Sequence, residues 1–138
     1  MRYFLLVFTP LFAWSCMSTV TETGGQESLY KAVVGADGVQ KVQVLAGDYF
    51  FKPNHIVVKV NVPVELKISK EPGFVPHDFV LRAPEAGIEV LESLSSEPKT
   101  VRFIPAKTGS YQFYCDKKRI FSRSHREQGM EGTLDVVE

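Results

Sequence analysis

The sequence is short of cysteine. Only Cys16 and Cys115 occur among its 138 residues, and Cys16 lies at the end of an apolar leader. The folded body therefore holds one sulfhydryl. One thiol excludes a disulfide framework, and also a binuclear metal centre that needs two bridging thiolates. A Cys16–Cys115 disulfide remains the plain alternative, although the polar segment after Cys16 has no need to reach a core. Net charge is lacking too. Sixteen basic residues meet sixteen acidic ones, which leaves no electrostatic footing for nucleic-acid binding. The longest apolar run, Tyr3 to Trp14, falls short of the roughly 20 residues that span a bilayer. There is no internal repeat and no long amphipathic helical pattern.

What is present divides into three parts, expected at residues 1–15, 16–28 and 29–138. Arg2 followed by YFLLVFTPLFAW has the length and flanks of a signal peptide. Ala13-Trp14-Ser15-Cys16 resembles a bacterial lipoprotein cleavage box, with Ala13 and bulky Trp14 as departures from the usual pattern. The expectation is an extracytoplasmic protein anchored to a membrane through lipidated Cys16, with simple secretion after Ser15 as the alternative. Met17 to Ser28 is rich in Ser, Thr, Gly and Glu and has no apolar period, which predicts a flexible tether.

From Leu29 the pattern is that of short strands. Val64, Leu66 and Ile68 alternate with Glu65, Lys67 and Ser69, a period of two. Ile56, Val58 and Val60 repeat it. His77, Phe79 and Leu81 fall on one strand face, and Tyr111, Phe113 and Cys115 on another. Leu134 and Val136 face inward from the last strand. Residues 83–96 are looser and predict a crossover with a short helix. The whole predicts an all-β, two-sheet sandwich of about seven or eight strands.

The chemistry concentrates near the C-terminus, in YCDKKRIFSRSHREQGMEG. Cys115, His125 and Met130 share one connection between two strands, and His77 opens a strand well upstream. Two imidazoles, a thiolate and a thioether are the donors of a mononuclear blue-copper electron-transfer site, one copper per chain. Each residue alone has a duller role: Cys115 as a small core residue, His77 as a surface imidazole, Met130 as core. Gln128 is a rival to Met130 for the axial position, since an amide can occupy it. His55 has no matched partners and is expected at the surface. Cys115 with His125 could also make a nucleophile–base pair, but no oxyanion-hole motif accompanies them, so no enzyme is expected.

VPHDFVL, GSYQFYC, SHREQGMEGTLDVVE and FFKPNHIVVKVNVPVELKIS together resemble the cupredoxins, the plastocyanin/azurin family of blue copper proteins, over about Val42 to Glu138. The resemblance implies a Greek-key β-sandwich and one-electron transfer between respiratory redox proteins in the periplasm or an equivalent compartment. It carries the first histidine role to His77, the cysteine role to Cys115, the second histidine to His125 and the axial methionine to Met130. Copper storage, delivery or sensing is the alternative function. Asp78 stands where relatives often carry asparagine beside the thiolate, and it points either there or to solvent.

One stretch departs from the family. Familiar members separate the cysteine and the second histidine by only a few residues, whereas here DKKRIFSRS intervenes. The long interval resembles the copper domain of cytochrome oxidase subunit II, without that domain's second cysteine. It predicts a distorted copper geometry or an added oxygen ligand. Lys117, Lys118, Arg119, Arg123 and Arg126 make it basic, with Ile120 and Phe121 in the middle. The expectation is either a solvated loop or a docking surface for a protein redox partner.

Overall fold

A computed structural model describes residues 27–138. The expected signal peptide, Cys16 and most of the expected tether lie outside the described residues. Ten strands run β1 (Leu29–Lys31), β2 (Gln40–Gly47), β3 (Phe50–Lys52), β4 (His55–Lys59), β5 (Val64–Lys70), β6 (Asp78–Ala83), β7 (Ile88–Ser93), β8 (Lys99–Phe103), β9 (Gly109–Tyr114) and β10 (Glu131–Val137). They form a six-stranded sheet, β1-β4-β10-β9-β6-β7, and a four-stranded sheet, β3-β2-β5-β8. The all-β two-sheet sandwich is as expected, with more strands than seven or eight.

Alternation explains the core. Val42, Val44 and Ala46 from β2 and Val64, Leu66 and Ile68 from β5 are buried. They face Ile56, Val58, Phe79, Leu81, Phe113, Leu134 and Val136 from the larger sheet, all buried too. β2, β4, β5 and β10 send every second side chain inward, and burying such a side chain is worth about 1.5–3 kcal/mol. The two sheets are stapled by three phenylalanines. Phe51 meets Phe79 and Phe113 edge-on, with ring centroids 5.5 Å from each. Phe79 and Phe113 stack at 5.0 Å. Gly132 makes room for this cluster: a Cβ there would lie 2.3 Å from the Phe113 ring and 2.4 Å from the Asn54 carbonyl.

One expectation needs correcting. Residues 83–96 are not a crossover. Pro84–Ala86 forms one 3-10 turn, and β7 then pairs antiparallel with β6. Ile88 and Val90 face the core while Leu91 is exposed, so the extra outward apolar residue of an edge strand blurred the alternation. His55 is no member of a metal-ligating cluster among the described residues, but it is half-buried and held by carboxylates. Its Nδ1 lies 2.8 Å from Glu27 and its Nε2 2.7 Å from Asp135. Only the protonated ring can donate from both nitrogens, and the bond to Asp135, with that to Glu27, favours that form and raises the His55 pKa. Asp135 arrives from β10 and Glu27 from the chain ahead of β1, separations that a local pattern does not reveal.

Candidate metal centre

Three strand ends carry the site, and the period of two builds it. Tyr49, His77 and Cys115 each lie two residues from Phe51, Phe79 and Phe113. His77 and Cys115 therefore form the next layer on the inward faces of β6 and β9, just beyond the strand ends, and Tyr49, in the turn before β3 at φ 67°, is brought over that layer by the hairpin. His77 precedes β6, and its carbonyl accepts a 2.9 Å bond from the Leu94 amide. The Cys115 N–H donates to the Met130 carbonyl at 3.0 Å, extending the β9–β10 ladder by one rung. Cys115 and Met130 are thus cross-strand neighbours.

The insertion does not separate the donors. The His125 N–H donates to the Lys117 carbonyl at 2.9 Å, and Lys118 and Ser124 form an antiparallel bridge. The extra residues are pinched off as a small hairpin. Its base sets His125 beside Cys115, with Nδ1 3.4 Å from Sγ. After His125, one 3-10 turn (Arg126–Gln128) ends at Gly129, whose φ of 96° suits glycine. That turn brings Met130 back, and its N–H bonds the His125 carbonyl at 3.0 Å.

Three donor atoms converge. His77 Nδ1 and His125 Nδ1 are 3.2 Å apart. The Cys115 Sγ is 3.4 Å from His125 Nδ1 and 4.0 Å from His77 Nδ1. A point equidistant from all three lies roughly 2 Å from each, the length of a metal–imidazole bond. Cys115, His125 and Met130 are fully buried and His77 is 3% exposed. His77, Cys115 and His125 form the one metal-ligating cluster of this kind among the described residues. Gln128 is turned away: its amide donates to the Arg123 and Ser124 carbonyls.

Burial sets the protonation. It pushes the Cys115 thiol up to about 11. It also lowers both imidazoles, with His125 adding to the effect on His77. Neutral imidazoles offer lone pairs, as a metal requires. The site also carries a buried polar atom without a partner, His125 Nε2. Such an atom is costly in a folded interior. With Nδ1 as a ligand, Nε2 is where the ring's proton resides.

The surrounding residues orient the donors. The Asp78 N–H points at Cys115 Sγ from 3.4 Å. Its carboxylate accepts from the Asp116 N–H at 2.7 Å and lies 3.5 Å from Lys117 Nζ. Asp78 is buried, so it faces the thiol and not the solvent. Two residues were missed by the sequence reading, Asp48 and Tyr49. They form the two-residue turn of the β2–β3 hairpin, which caps the centre. The Tyr49 ring meets His125 edge-on at 5.1 Å, and the Asp48 carboxylate lies 3.6 Å from His77 Nε2. The place of this turn over the imidazoles depends on how the second sheet packs.

A two-sheet β-sandwich whose strand ends gather two imidazoles and a thiol is a cupredoxin-like arrangement. The family profile of the cupredoxin-like domain matches residues 6–133, and the chain belongs to that family. Among solved structures it is similar to the metal-binding domain of the Cu(I)-exporting P-type ATPase CopA of Streptococcus pneumoniae D39, solved with Cu(I). Identity there is 26% and the TM-score 0.60, over 83% of this chain and 100% of that one. A copper-binding protein solved in its apo form is 24% identical with a TM-score of 0.57, over 78% and 96%. Auracyanin B shares the fold at 19% identity and a TM-score of 0.54, over 83% and 97%. No curated protein matches the chain.

Proposed function

We propose that this protein is an exported mononuclear type 1 copper protein that carries single electrons between respiratory redox partners. The convergence of two imidazole nitrogens and one sulfur in a buried layer is the observation that carries the reading. The donor types suit copper. His77, Cys115 and His125 are the proposed equatorial ligands and Met130 the axial one, holding one copper per chain. Copper, when bound, supplies the one-electron exchange. The chain's residues hold the ligands still. The Asp78 amide fixes the thiolate, Asp48 faces the distal nitrogen of His77, and Tyr49 shuts water away from His125.

Two other readings are weaker. Copper storage or delivery draws support from the domain of the CopA exporter, which was solved with Cu(I). A delivery site must exchange its metal, whereas the four proposed ligands here are buried. A nucleophilic Cys115 needs a depressed pKa, and burial has moved it upward instead. The extracytoplasmic location and lipidated Cys16 belong to the proposal as well. Membrane partitioning of the wild type, lost in Cys16→Ala, tests them.

The function is tested by titrating Cu(II) into the metal-free protein. The expected result is an intense thiolate-to-copper band that saturates at one equivalent, with reversible one-electron electrochemistry. Cys115→Ser should abolish the band. A colourless site that binds only Cu(I) would favour handling over electron transfer.

A further inference from the structure

The hairpin between the candidate ligands has an unusual tip. Ser122 N–H returns to the Arg119 carbonyl at 3.1 Å, so Ile120 and Phe121 occupy the corner of a tight turn. They are 86% and 104% exposed, and the fold gains no core packing from either. Phe121 also sits at φ 62°, a left-handed conformation that is a real outlier for a bulky residue. Glycine or asparagine would hold the corner more cheaply, so turn formation does not explain the phenylalanine.

Cations flank the tip. Lys118, Arg119 and Arg123 are exposed, and none of the three is ion-paired among the described residues. Their neighbours differ, since Lys117 faces Asp78 and Arg126 pairs with Glu131. The acid at the base, Glu127, accepts from the Ser124 N–H and hydroxyl at 2.6 and 2.8 Å and feels Lys118 and Arg123 at longer range, but forms no ion pair with either among the described residues. The chain as a whole is neutral, so this positive charge is local.

We propose that residues 118–124 are a docking finger for a protein redox partner whose face carries carboxylates around an apolar hollow. The inference rests on the electron-carrier reading. Three unpaired cations ask for anions, and the Ile–Phe tip asks for a hollow to desolvate it. The finger's position selects a protein over a lipid surface. Its base lies between Lys117 and His125, joined by the bond that sets His125 beside Cys115. A partner that grips the finger is held next to the metal centre, where an electron acceptor or donor benefits and a membrane does not.

The test uses the copper-loaded protein with two soluble cytochromes, one acidic and one basic, followed by stopped-flow. The rate with the acidic cytochrome should fall as ionic strength rises, and the basic one should show the opposite trend. The K118E/R119E/R123E variant should lose about tenfold or more of the acidic-cytochrome rate at low salt. Its copper band and reduction potential should not move. I120S/F121S should weaken saturation by the acidic cytochrome and leave the salt dependence intact. A rate indifferent to salt and to both variants would overturn the proposal. So would sedimentation with anionic phospholipid vesicles that needs Ile120 and Phe121 while the cytochrome rate does not. The two failures separate: a missing copper band contradicts the carrier reading, whereas a normal band with an indifferent rate contradicts only the finger.

Discussion

At the scale of residues, the site is a balance between burial and the charge that a metal needs. Cys115 is held as a thiol by its surroundings, with a pKa of about 11, while both imidazoles lie below their usual value. Copper uptake near neutral pH must therefore displace the thiol proton and need not displace any from the histidines. The sign follows. Apparent affinity should rise about tenfold per pH unit from neutrality toward the thiol pKa, with one proton released per copper. In acid it should fall more steeply, as protonated imidazoles join the competition. Proton release in weakly buffered solution during copper titration checks this. Uptake that releases no proton at neutral pH would mean that Cys115 is not a ligand.

Residue types were the most legible part of the site. Cys115 stood alone as a thiol, and His125 and Met130 followed it on one connection. The inward phase of Phe113 and Cys115 could be read from alternation. Asp48 and Tyr49 could not, because they belong to the other sheet and reach the imidazoles only through packing. The direction of Asp78 was undecided for a similar reason. Its partner, the Asp116 N–H, is fixed by the antiparallel pairing of β6 with β9.

At the scale of elements, the insertion changes meaning once its hydrogen bonds are known. Counted along the chain, the interval from Cys115 to His125 threatens the geometry of the site. Folded, it is a side hairpin closed at Lys117 and Lys118, and the donors meet at its base. The finger and the site should then be separable. Replacing residues 119–123 by Asn-Gly, a pair suited to a two-residue hairpin turn, should leave the copper band where it was. Loss of the band in a variant that still unfolds cooperatively would show that the finger is needed for ligation. The strands that were hardest to foresee were β1 and β7, both at sheet edges. Edge strands bury little, so their sequences carry a weak period. β1 is exposed throughout, and the chain ahead of it is pinned by the Glu27–His55–Asp135 contacts instead.

At the scale of the whole molecule, the sandwich acts as a clamp for one layer of donors. Phe51, Phe79 and Phe113 join the two sheets, and the next residues on the inward faces of β6 and β9 are the candidate ligands His77 and Cys115. The candidate ligands all come from the ends of β6, β9 and β10 and the β9–β10 connection in the larger sheet, and the β2–β3 hairpin of the smaller sheet closes over them. The central claim is that one copper sits among His77 Nδ1, His125 Nδ1 and Cys115 Sγ. The most direct measurement is an anomalous difference map at the copper edge from crystals of the copper-loaded protein. The account predicts a single peak per chain among those three atoms, beside Met130. A peak bound through other atoms, or two peaks per chain, would contradict it.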